Sequence, residues 1–147
     1  MYFHKILYMR KTISLIITLL LFCMASAYSQ KEKKLEGVWI MIHSKWDLPD
    51  TIIERTQFTV PSYKIFATPH FSMSRWDEND EFCGHFGTYE FDGENYIEHI
   101  KYSSYGHLVG VTEEFKCTLK GDELKITGKI GNTGEGFLLV ETWQRIE

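Results

Sequence analysis

From Leu35 onward apolar and polar residues alternate with a period of two, and turns containing Gly or Asp interrupt the alternation about every ten residues. The apolar positions are mostly β-branched or aromatic, and no long helical period runs through them. This pattern predicts strands at about 36–44, 62–69, 70–77, 84–92, 95–103, 109–120, 123–130 and 137–146. Eight antiparallel strands can close around their own side chains or around one ligand, which removes exposed sheet edges. The expected fold is all-β, an eight-stranded antiparallel up-and-down β-barrel.

Turn chemistry gives three of the hairpins a register. A two-residue turn at Asp92-Gly93 places Phe91 opposite Glu94 and Tyr89 opposite Tyr96, and one at Gly121-Asp122 places Leu119 opposite Leu124 and Cys117 opposite Ile126. A looser turn from Ser104 to His107, centred between Tyr105 and Gly106, sets Glu98 opposite Glu113. Residues 45–61 break the rhythm. Pro49 and Pro61 bound them, and Thr51 and Glu54 have capping-box spacing, so either a short helix or an ordinary loop with one helical turn is expected over a barrel mouth.

The first residues stand outside this pattern. Arg10 and Lys11 precede an uncharged run from Thr12 to Met24 that ends in small residues at Ala25, Ser26 and Ala27, the order of a signal peptide. The run is too short to span a membrane. The expected organisation is a leader at 1–29, a linker at 30–34 and one barrel domain at 35–147, exported to the periplasm or beyond. Lipid anchoring at Cys23 is the alternative, disfavoured by the bulky Phe22 before it. Loss of the leader removes three cations and no acid, which takes the formal charge from −4 to about −7 and argues against nucleic acid as a partner. Cys83 and Cys117 then remain. An exported protein permits a disulfide between them, but neither has a C-x-x-C partner.

Gly37-Val38-Trp39 on the first strand, answered by Arg145 on the last, resembles the signature of the lipocalin (calycin) superfamily. The segments Lys64-Ile65-Phe66 to His70-Phe71, Gly87-Thr88-Tyr89, Tyr96-Ile97-Glu98 and Glu141 to Arg145 are similar to secreted lipocalin-like domains of Bacteroidetes. The resemblance implies that Trp39 plugs one end of the barrel under Arg145, and that the barrel tends to hold small ligands. His85 and the polar loop at 77–83 depart from that pattern.

Five histidines, His43, His70, His85, His99 and His107, follow the leader, and none has the spacing of a metal pair. A single axial histidine for haem stays open in principle, but no cofactor or metal is expected. No nucleophile elbow or phosphate loop is present. Cys83 would have only His85, on its own strand face, as an activating base. More informative are polar residues on the inward phase of the middle strands. Tyr96, Glu98, Ile100 and Tyr102 share one face, as do Val109, Val111, Glu113, Phe115, Cys117 and Leu119 on the next strand. Two inward carboxylates need water, a cation such as Arg75, a ligand or a shared proton.

The expected cavity is lined by Met41, Phe71, Phe115 and Leu139, with a polar end from Tyr89, Tyr96, Glu98, Tyr102 and Glu113 and Arg75 as the counter-charge. The reading these residues support best is a binding protein for a small, partly apolar molecule, in which Glu98→Gln weakens binding with little effect on the fold. The alternatives are an envelope interaction module with a filled core and an exposed apolar patch, or an enzyme using Glu98 or Glu113 as acid and base with tyrosine donors. No catalytic residue is assigned.

Overall fold

The structure is a computed structural model that describes residues 35–76, 81–131 and 136–147. The expected leader at 1–29 and linker at 30–34 lie outside the described residues, as do parts of the loops at 77–83 and 131–136. Nine strands follow in chain order: β1 (Gly37–Asp47), β2 (Ile52–Arg55), β3 (Tyr63–Ala67), β4 (His70–Trp76), β5 (Phe82–Phe91), β6 (Asn95–Ser103), β7 (Thr112–Lys120), β8 (Glu123–Ile130) and β9 (Phe137–Arg145). One 3₁₀ turn, Gly106–Leu108, lies between β6 and β7. All pairings are antiparallel. The order runs β1-β3-β4-β5-β6-β7-β8-β9, and β9 returns to β1, so eight strands close the antiparallel barrel predicted from the alternation.

The ninth strand corrects the expected helix or loop at 45–61. Here β1 continues to Asp47, and a two-residue turn at Pro49-Asp50 brings β2 back so that Asp47 faces Ile52 and Ser44 faces Arg55. β-branched Ile52 and Ile53 favour this extended pairing over the helix that Thr51 and Glu54 suggested. Ile52 stays exposed, and Phe58 packs against the core.

At the Gly121-Asp122 hairpin the expected pairs Leu119 with Leu124 and Cys117 with Ile126 form. At the β5–β6 hairpin the loop is Gly93-Glu94, one residue later than expected, which pairs Phe91 with Tyr96 and Tyr89 with Glu98. The Asp92 carboxylate sets it by accepting from the backbone N–H groups of Glu94 and Asn95, at 2.9 and 2.7 Å. A shift of two partners preserves the faces, so the inward set survives.

Bulges do not preserve them. Lys101 is an extra residue between the pairs Gly87 with Ile100 and Phe86 with Tyr102, so the inward phase passes from Ile100 to Ser103 and Tyr102 turns outward, 70% exposed. Gly87 permits the close strand approach there, because a Cβ would collide with the His99 carbonyl oxygen. A second bulge at Ile42 of β1 moves the inward phase from Met41 to Ser44 and Trp46. Val109 also leaves the expected strand and is exposed beside the 3₁₀ turn.

The closed end carries the densest packing. Trp39 is fully buried, its Nε1–H donates to the Leu35 carbonyl at 2.8 Å, and the Arg145 guanidinium lies 4.2 Å above its ring centroid. Arg145 is held in turn by Asp122, at 3.1 Å, and by the Glu36 carbonyl. Gly37 takes φ 132° there, where a Cβ would strike the Glu147 carbonyl oxygen. Above this plug Met41, Phe66, Phe71, Tyr89, Leu124, Ile126 and Trp143 fill the barrel.

Candidate functional site

The half of the barrel away from the plug holds a cavity of about 270 Å³. Its apolar wall includes Trp46, Met73, Phe115, Ile130, Phe137 and Leu139, while Lys64, Arg75, His85, Glu98, Glu113 and Glu141 are its charged or titratable groups. Tyr105, His107 and Leu108, from the 3₁₀ turn and the residue before it, complete the lining. Every strand residue in this set is inward by the alternation of its own strand once the bulges at Ile42 and Lys101 are counted.

Of the residues expected to line the cavity, Glu98, Glu113, Phe115, Leu139 and Arg75 do so. Met41, Phe71, Tyr89 and Tyr96 are inward as expected but sit lower, in the packed core outside the lining. Tyr102 is on the outer wall, where its ring meets Phe86 at 6.1 Å, and it is corrected to a surface residue.

Glu98 does face Glu113 across β6 and β7. Its counter-charge, however, is Lys64 and not Arg75. Lys64 Nζ lies 2.6 Å from Glu98 Oε1, and the Tyr96 hydroxyl donates to the same oxygen at 2.5 Å. Both partners are almost wholly buried, Lys64 at 5% and Glu98 at 3% exposure. The ammonium also sits 5.2 Å from the Trp143 ring, 5.3 Å from Tyr96 and 5.9 Å from Phe71. Burial, the largest single influence, pushes the Lys64 pKa down, but the charge and hydrogen bond of Glu98 together with the charges of Glu141 and Glu113 outweigh it and the net direction is up, so Lys64 is a fixed cation in an aromatic cage. This arrangement argues against the expectation that Glu98→Gln has little effect on the fold, because Glu98 neutralises a buried cation.

The alternation does not single out Lys64, Glu141, Trp46 or Met73. Lys64 and Glu141 share the inward phase with Phe66 and Trp143 respectively, but Ile65 and Val140 are apolar on the opposite phase and mask the pattern. Glu141 accepts from Trp143 Nε1–H at 3.0 Å, and burial raises its pKa. Cys83 and Cys117 are separate, buried thiols. His43, His99 and His70 face outward, pairing with Glu54, Glu90 and the Phe86 ring. Among the described residues no three His, Cys, Asp or Glu side chains are grouped to hold a metal. Also among the described residues, no helix is long and apolar enough to cross a membrane.

Two cavity groups titrate in opposite senses. Burial, helped by Glu98 and Glu141 and opposed by Lys64, pushes Glu113 up to about 7 from 4.5. Folded chains therefore keep this proton while unfolded chains release it, and the group's contribution to stability falls as pH rises from 4.5 to about 7. Burial, with Lys64, Arg75 and His107 and against Glu98, lowers His85 to about 4 from 6.5. Its contribution is lost as pH falls from 6.5 to about 4. Relative to the unsubstituted chain, Glu113→Gln should gain stability as pH rises through its window, and His85→Gln as pH falls through its own. Discounted for partial exposure, each change is on the order of 2 kcal/mol. Urea denaturation between pH 4 and 7.5 measures both differences, and a pH-independent difference for either variant would refute burial as the cause of that shift.

Comparison with known proteins adds a family and no activity. The chain is similar to a lipocalin-like protein from Bacteroides uniformis, at 15% identity and a TM-score of 0.49 over 76% of this chain and 98% of that one. It is also similar to an uncharacterized protein from Bacteroides eggerthii, at 10% identity and a TM-score of 0.48 over 77% of this chain and all of the other. No curated protein matches it. Residues 34–147 match the profile of the domain of unknown function DUF4488, so the closed barrel, its Trp39 plug and its cavity are those of a chain that belongs to the DUF4488 family.

Proposed function

We propose that this is an exported binding protein that holds one small amphipathic molecule in the open half of its barrel. The observation that carries the reading is the cavity itself. About 270 Å³ of space is bounded by aromatic and aliphatic side chains and by a few buried, convergent polar groups, the usual composition of a small-molecule site. The volume lies just below the range for drug-sized ligands, so the ligand is smaller than those. The leader-like order of residues 10–29 supports export.

Ile130, half-buried at the end of β8, reaches the cavity from its edge. Ile130→Trp should fill the space at a stability cost below about 2 kcal/mol. Ligand-observed NMR with a library of small aromatic and aliphatic fragments should find binders to the unsubstituted protein whose affinity falls at least about tenfold in Ile130→Trp. The reading fails if no fragment binds, or if both proteins bind the same fragments equally well.

A further inference from the structure

The cavity wall carries unanswered polar groups of two opposite kinds. On one side are donors. Trp46 Nε1 and Arg75 Nε are buried N–H groups with no acceptor among the described residues, and the Arg75 guanidinium lies 5.4 Å over the Trp46 ring. Cys83 and Tyr105 neighbour that guanidinium, and no carboxylate among the described residues forms an ion pair with it. Buried donors without partners are rare in folded proteins, and two on one cavity wall call for an acceptor from outside the chain.

On the other side is an acceptor. Of the three cavity carboxylates, Glu98 is engaged by Lys64 and Tyr96, and Glu141 by Trp143. Glu113 has no hydrogen bond or ion pair among the described residues, although it lines the same space. Arg75 on β4 and Glu113 on β7 are separated around the barrel wall by β5 and β6, and no ion pair joins them. Apolar side chains from β7, β8 and β9, Phe115, Ile130, Phe137 and Leu139, cover the wall beyond Glu113.

An anion alone would leave Glu113 without a partner, in a space whose carboxyl groups, Glu98, Glu113 and Glu141, outnumber its cations, Lys64 and Arg75. A simple amine would leave the indole and guanidinium N–H groups unanswered. We propose that the site takes a small zwitterion with an apolar body, an amino acid or a close derivative. Its carboxylate accepts from Trp46 and Arg75, its ammonium group donates to Glu113, and its side chain lies against Phe115, Phe137 and Leu139. This rests on the small-molecule reading above and specifies the ligand class for the same cavity.

Three probes of one shape separate the terms: L-phenylalanine, phenethylamine, which lacks the carboxylate, and 3-phenylpropionate, which lacks the ammonium. Titration calorimetry on the purified protein should show phenylalanine binding at least about tenfold more tightly than either truncated probe, the scale of one charged hydrogen bond. Glu113→Gln should bring phenylalanine down to the level of 3-phenylpropionate, and Arg75→Met down to the level of phenethylamine. A smaller ratio against either probe overturns the proposal, as does a Glu113→Gln variant that keeps the full preference. If Arg75→Met does not fold, the ratios of the unsubstituted protein and the Glu113→Gln result decide it. Neutral fragments that bind the cavity better than phenylalanine would overturn the zwitterion while leaving the small-molecule reading intact.

Discussion

Trp39→Ala should lower the unfolding free energy by about 3–5 kcal/mol, a large share of the roughly 5–15 kcal/mol that stabilises a domain of this size. The indole is fully buried, so its removal leaves a large cavity in the closed end. It lies at the end of the barrel under a guanidinium pinned by Asp122 and the Glu36 carbonyl, and its own N–H is satisfied by Leu35. Arg145→Ala should cost less, about 1–3 kcal/mol, because the side chain is partly exposed and contributes stacking, packing and hydrogen bonds without filling the core. Arg145→Lys should recover only part of that loss, since an ammonium cannot lie flat on the indole. Urea denaturation of the three variants tests this. A Trp39→Ala loss under about 1 kcal/mol would mean that the plug does not hold the barrel closed.

The barrel is legible in the sequence because alternation is a local signal and because errors in even steps leave it intact. The hairpin at Asp92 shows this: its loop lies one residue later than expected, the partner shift is two, and Tyr89 and Tyr96 still point inward. The failures are odd-numbered. Single extra residues at Ile42 and Lys101 reverse the phase of the residues after them, sending Tyr102 out and bringing Trp46 in. A bulge depends on how closely two strands approach, and the only local hint is glycine at position 87, beside the bulge on the partner strand. β2 is hidden for a related reason. Capping-box spacing at Thr51 and Glu54 is a local preference, and the free edge of the second half of β1 offers Ile52 and Ile53 a pairing that outweighs it.

The candidate site is legible where it depends on one turn. Centring the Ser104 to His107 connection between Tyr105 and Gly106 places Glu98 opposite Glu113 correctly, although a 3₁₀ turn occupies that connection. Depth along the barrel axis is not legible. Alternation says which face a residue is on and nothing about its height, so Met41, Phe71, Tyr89 and Tyr96 are expected in a cavity and are in the core beneath it. The partner of Glu98 is illegible for the same reason. Choosing between Arg75 on β4 and Lys64 on β3 requires knowing which cation lies at the height of Glu98, and both strands run through the same interior.

The largest electrostatic effect is expected at the Lys64 and Glu98 pair. Lys64→Met should destabilise the barrel by about 3–5 kcal/mol although the new side chain is apolar and of similar length, because it leaves Glu98 as a buried charge without its cation. Glu113 and Glu141 aggravate the loss, since both interact with the same ammonium and Glu98 already raises the pKa of each. The double variant Lys64→Met with Glu98→Gln removes both charges. It keeps an amide oxygen for the Tyr96 hydroxyl and leaves the introduced methionine in a cage of Phe71, Tyr96 and Trp143 that suits a thioether. That variant should therefore be more stable than Lys64→Met alone, by about 2 kcal/mol or more, even though it carries one substitution more. Urea denaturation of the two single variants and the double variant closes the cycle. If the two losses simply add, the ammonium and the carboxylate do not depend on each other, and Glu98 returns to the set of side chains free to meet a ligand.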